Sequence, residues 1–223
     1  MKKIVPILLL VLAMAMFCPS ALAYWEEGAE QEGQSAADVK TLAISAPLYV
    51  EKKGYPTLEE YINVLNTRGA KVSPKKYTVV PYDVIARDIM QKTGKDLYTI
   101  GRIPAARVFK NHVAEYADAY LVPTVTMGRR TVLFFEVYSA ETHELLYTYQ
   151  IILAPDDLDT VGTYSDMVSL FYDEFAAVIE KHKKEKKDEE KAARKEREKA
   201  ERRAQQEREK AERARKLIEQ GCS

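Results

Sequence analysis

The chain has 223 residues, with 34 basic and 34 acidic side chains, 46% hydrophobic residues and two cysteines. One cysteine lies in the leading apolar segment, so no pair remains for an internal disulfide in the rest of the chain, and the fold must rest on a hydrophobic core. The zero net charge hides an asymmetry: residues 24–180 carry 15 Lys/Arg against 23 Asp/Glu, a net of −8, and residues 181–223 carry 17 against 11, a net of +6.

Lys2 and Lys3 precede the apolar run Ile4–Phe17, and Ala21-Leu22-Ala23 offers a small-x-small site before Tyr24. That layout predicts a cleavable export signal over residues 1–23, too short for a comfortable membrane span. Cys18 follows Phe17, where a lipoprotein signal needs a small residue, so lipidation is not expected. No other stretch is apolar enough to cross a bilayer. Cleavage leaves Cys222 as the candidate for an intermolecular disulfide joining two tails.

Residues 24–37, YWEEGAEQEGQSAA, are acidic and small without apolar period, and read as a disordered leader. The α/β domain is expected over 38–162. VKTLAISA (39–46) is β-rich and ends at Pro47. Thr57 with Glu60 is a capping-box pattern, opening a helix with an apolar side of Leu58, Tyr61, Ile62 and Leu65 that stops near Gly69. YTVV (77–80) is a second strand. Asp83 is the expected N-cap of a second helix ending near Gly94, and Pro104 the expected first residue of a third.

The pattern then turns to continuous strand. Ala119–Met127, Thr131–Ser139 and Leu145–Leu153 are rich in Val, Tyr, Phe and Thr and form an antiparallel meander. The fold class is α/β, a mixed α+β sheet in the order β-α-β-α-α-β-β-β, followed by a long C-terminal charged α-helix. A packing helix is predicted from about Thr163 to 180, with Met167, Leu170, Phe171, Phe175, Val178 and Ile179 as its stripe.

Residues 181–216 hold no large aliphatic side chain, and no Gly or Pro interrupts 163–220. Strong helix formers and pairs such as Glu190–Arg194 and Glu198–Arg202 support a solvated single helix, each pair contributing roughly 0.2–0.5 kcal/mol. The heptapeptide EREKAER recurs after eleven residues, almost three full turns, so both copies present one face. A coiled coil would bury only the seam Ala200, Ala204, Ala211 and Ile218. Acids interleave with the bases throughout, which argues against nucleic acid as a partner.

No motif carries chemistry. The three histidines have no ligand spacing, and no nucleophile elbow, phosphate loop or dinucleotide fingerprint occurs. Asp156, Asp157 and Asp159 read as a solvated helix leader, lacking the glycine and bidentate glutamate of a calcium loop. No cofactor, metal or catalytic residue is assigned. What remains is an aromatic strand surface, with Phe134, Tyr138, Tyr147 and Tyr149 as the candidate interaction surface. An exported hydrolase or small-ligand-binding domain is the alternative, its site at the carboxyl ends of strands 42–46 and 77–80.

KTLAISAP, YTVVPYDVIARDI and ADAYLVPTVTM, followed by the turn YSAETHELL (138–146), resemble a periplasmic α/β domain superfamily. It includes the amino-terminal domain of TolB, the curli secretion lipoprotein and the lipoproteins that activate penicillin-binding proteins. His143 stands where that family commonly has Gly. The resemblance implies the fold over 38–153 and a role in protein contacts of the cell envelope, with an envelope protein or cell-wall component as partner. Self-association through the tail is the other partner expected.

Overall fold

The computed structural model describes residues 24–31, 34–154 and 159–221. The expected export signal, Asp156, Asp157 and Cys222 lie outside these residues. The elements are β1 (Tyr24–Glu30), β2 (Thr41–Ile44), α1 (Leu58–Gly69), β3 (Thr78–Val80), α2 (Tyr82–Thr93), α3 (Arg102–His112), a 3-10 turn, β4 (Ala119–Met127), β5 (Thr131–Ser139), β6 (Leu145–Leu153) and α4 (Val161–Gly221). The six strands form one mixed sheet in the order β1-β6-β5-β4-β2-β3. β2 runs parallel to both β3 and β4, while β4, β5, β6 and β1 are antiparallel neighbours.

Two helices cover each face. α1 and α4 pack on Leu133, Phe135 and Val137 of β5 and on Tyr147, Tyr149 and Ile151 of β6. α2 and α3 pack on Ala43, Tyr120 and Ala140. The larger core is knit by rings: Phe171 stacks on Phe135 with centroids 4.6 Å apart and planes 12° off parallel. Each such fully buried side chain stabilises the fold by about 1.5–3 kcal/mol relative to exposure. Buried phenols find helical carbonyls, Tyr77 Oη donating to Tyr172 O at 3.0 Å and Tyr172 Oη to Leu65 O at 3.1 Å.

The caps follow local chemistry. Thr57 and Glu60 make the reciprocal capping box expected of them, and Gly94 ends α2 with φ 72°, a left-handed conformation suited to glycine. α2 starts two residues earlier than the Asp83 N-cap predicts, with Pro81 at its cap and Asp83 in its first turn. α3 likewise starts at Arg102, so Pro104 is its third residue, a position whose N–H has no helical partner to lose. His143 has φ 60°, the only positive φ among described residues other than glycine, which accounts for a turn position that suits Gly.

The leader is where expectation and structure part. Tyr24–Glu30 is not disordered but pairs along its whole length with β6, from Tyr24↔Leu153 to Glu30↔Tyr147. Its acids serve as acceptors: Tyr149 Oη donates to Glu26 and Gln150 Nε2 to Glu27. Gly28 lies over Tyr147, where a Cβ would overlap the phenol oxygen. This edge strand is made by its partner and not by its own period.

α4 is one unbroken helix of 61 residues, about 90 Å long. Thr160 Oγ1 accepts from Thr163 N–H at 3.1 Å at its start. Packing continues past the expected boundary at 180. His182 is buried, its Nδ1 accepting from Ala36 N–H at 3.0 Å and its Nε2 facing Glu30 at 3.1 Å. Lys181 holds both Glu30 oxygens at 2.9 and 2.8 Å, and Lys186 both Asp38 oxygens at 2.8 and 2.7 Å. Residues 184–208 are exposed on every side. No helix of the described residues is long and apolar enough to cross a membrane.

Candidate functional site

The described residues enclose a cleft of about 600 Å³ beyond the carboxyl end of β2. One wall is the segment after that strand. Ser45 N–H bonds Leu121 O at 2.9 Å and Leu48 N–H bonds Pro123 O at 2.8 Å, which holds Ala46, Pro47 and Leu48 beside β4. Leu58 and Ile62 of α1 continue that wall, the capping box fixing where the helix begins. The opposite wall is α3 with Leu97 and Tyr98 before it, and the floor is Tyr120, Val122 and Tyr138.

The floor is an aromatic run. Tyr82 meets Phe109 at 5.8 Å, Phe109 meets Tyr120 edge-on at 6.0 Å, and Tyr120 stacks on Tyr138 at 5.4 Å. Tyr120 is 1% exposed, and its hydroxyl has no hydrogen-bond partner. Burial pushes its phenol up to about 12, so it stays protonated and able to donate. An orphaned buried hydroxyl costs about 1–3 kcal/mol, and such groups call for an explanation.

The mouth is apolar and the charge one-sided. Ile103 is 76% and Tyr98 63% exposed, both on the rim. Arg102 and Lys110 are the charged side chains lining the cleft, and neither has a carboxylate partner among the described residues. Lys110 Nζ lies 5.9 Å from the Tyr120 ring centre and 5.7 Å from that of Tyr138. α3 has Gly101, φ 82°, as its N-cap, with no side-chain cap hydrogen bond and no acidic residue in its first turn. The positive end of that helix therefore faces the mouth without an anion.

The candidate interaction surface divides in two. Tyr147 and Tyr149 are 3% and 2% exposed under α4, so they are core residues and not a docking face. They belong to the larger core, with Tyr147 stacked on Phe175 at 5.8 Å and Tyr149 beside Phe171 at 6.3 Å. Phe134 and Tyr138 are half-buried on the other face, and only Tyr138 reaches the cleft. Sequence reasoning missed Arg102, Lys110, Tyr120 and the rim pair. Ile103 and Tyr98 carried one signal: both are large apolar residues off the stripe of any predicted helix.

Other polar groups are spent on structure. Asp118 Oδ2 accepts from Lys40 N–H and Thr41 N–H, each at 2.9 Å, which ties β2 to β4. Asp159 accepts from Tyr164 Oη at 3.1 Å at the start of α4. Among the described residues no group of three or more His, Cys, Asp or Glu could hold a metal ion.

No family model matches the chain, and no curated protein matches it. Solved structures do. The PelC dodecamer from Paraburkholderia phytofirmans is 10% identical, with a TM-score of 0.33, covering 66% of this chain and 92% of that one. The LpoB C-terminal domain from Escherichia coli is 16% identical, TM-score 0.40, covering 56% and 87%. The same domain from Salmonella enterica is 15% identical, TM-score 0.39, covering 55% and 87%. At such identities and scores the likeness carries no conclusion about this chain's activity or partners.

Proposed function

We propose that the protein is an exported, non-enzymatic adaptor of the cell envelope. Its α/β domain binds another envelope component, and its charged helix supplies reach. The observation that supports this best is the continuity of α4. The same helix that supplies Phe171 and Phe175 to the core runs on from its last anchor at Lys186 with exposed, charged sides. The 35 residues from Lys187 to Gly221 extend about 52 Å. A segment whose seam is mostly alanine gains little by packing, so reach or a solvated handle is what its composition favours. Export rests on the basic, apolar and small-residue layout of residues 1–23.

Crosslinking capture in intact cells tests the reading, comparing the full chain with one ending at Lys187, which keeps the His182 and Lys186 anchors. Capture of one envelope protein by both chains is expected, with the domain as binder and the helix as spacer. Capture only by the full chain would make the helix the recognition element, and a tail-dependent self-crosslink would make it a coiled coil. Capture by neither overturns the adaptor reading. A second reading, a small-ligand-binding domain, draws on the cleft at the carboxyl end of β2, whose volume lies within the usual range for ligand sites.

A further inference from the structure

The cleft can be assigned an occupant by its chemistry. Its walls are apolar, so the occupant's centre is apolar. The two charged side chains that line it are cations without carboxylate partners, in a body whose net charge is −8. The uncapped start of α3 adds positive potential at the same mouth. Lys110 Nζ sits 5.9 and 5.7 Å from the ring centres of Tyr120 and Tyr138, so one of these cations lies over the aromatic floor.

Spacing narrows the choice further. Arg102 and Lys110 stand eight residues apart on α3, about 12 Å along its axis. Two carboxylates flanking three residues of extended chain are about 13 Å apart. A fatty acyl chain has one charged end and would match only one of the two cations. We propose that this cleft receives an extended apolar peptide segment of a partner protein, flanked on both sides by carboxylates. The inference rests on the adaptor reading, since it takes the occupant from another protein.

The test is an NMR titration of the full chain as exported, following backbone amide shifts. The probe is the blocked peptide acetyl-Asp-Leu-Phe-Leu-Asp-amide, and its control has lysine in place of both aspartates. Saturable shifts at Ser45, Leu97 and Phe109 are expected with the acidic probe. The lysine peptide should bind about tenfold more weakly, as two exposed charge pairs would give. The double variant Arg102→Glu, Lys110→Glu, at two exposed positions that leave the core intact, should reverse the order of the two peptides.

Equal affinity for both peptides, or shifts confined to other surfaces, overturns the proposal. Decanoate bound at these amides with no peptide binding would make the cleft an amphiphile site and also overturn it. The two proposals fail separately. A null titration beside successful capture in cells removes the cleft but keeps the adaptor, whereas a null capture removes the adaptor itself.

Discussion

Phe171→Ala isolates the claim that the last helix belongs to the core. Phe171 is 0% exposed and stacks on Phe135, with Phe175 at 6.1 Å and Tyr172 at 5.2 Å. Removing a ring from such a site costs about 3–5 kcal/mol through lost transfer energy and the cavity left behind. Domains of this size are stable by about 5–15 kcal/mol, so the variant should still fold. At about 2–4 °C per kcal/mol, its Tm should fall by roughly 10 °C. The matched control is Phe134→Ala, half-buried on the opposite face of the same strand, where about 1 kcal/mol is expected. Urea unfolding followed by tyrosine fluorescence and circular dichroism measures both. A loss below about 1 kcal/mol for Phe171→Ala, or equal losses for the two variants, would refute the placement of α4.

Two further outcomes follow from local chemistry. Glu30 is held below the usual carboxylate range, mainly by its hydrogen bond from Lys181 and further by His182. A carboxyl depressed in the folded state stabilises above its unfolded value near 4.5 and loses that contribution as pH falls through the folded value. Acid unfolding of the full chain should therefore steepen below about pH 4.5, and Glu30→Gln should flatten that limb while lowering stability at pH 7. Thr57→Ala removes the capping hydroxyl of α1 and should cost about 1 kcal/mol in chemical denaturation, with the cooperativity of unfolding unchanged.

Much of the fold was legible because periods and caps agreed. The Thr57–Glu60 box, the Gly94 stop and the stripe from Met167 to Ile179 each combined two independent signals. β1 was not legible. YWEEGAE offers a glycine, three glutamates and no alternation, and it becomes a strand only because β6 presents an edge and phenols that its acids can accept from. The meander hid a different ambiguity. Both faces of β5 and β6 are largely apolar, so the sequence could not say which face α4 covers, and Tyr147 and Tyr149, named for the interaction surface, lie buried beneath it. The cleft was legible only in its location. Its residues come from seven separate elements and loops, and neither Arg102 nor Lys110 differs in sequence from an ordinary solvated cation.

The helical arm also explains the duplicated heptapeptide. Eleven residues are close to three turns, so a continuous helix presents the same charged face twice. Arg194 Nε and Glu198 Oε1 meet at 3.0 Å on such a face, an exposed pair that supports the helix by a few tenths of a kcal/mol at most.

The measurement that bears most directly on the adaptor with a rigid reach is a spin-label distance along the arm. Labels at Glu180→Cys and Arg208→Cys, with Cys222→Ser, are separated by 28 residues of α4. A continuous helix gives a narrow distribution centred near 42 Å plus label length. A broad distribution centred near 30 Å, as a flexible chain of that length would give, contradicts the arm and with it the reading of this protein as a domain built to hold something at a distance.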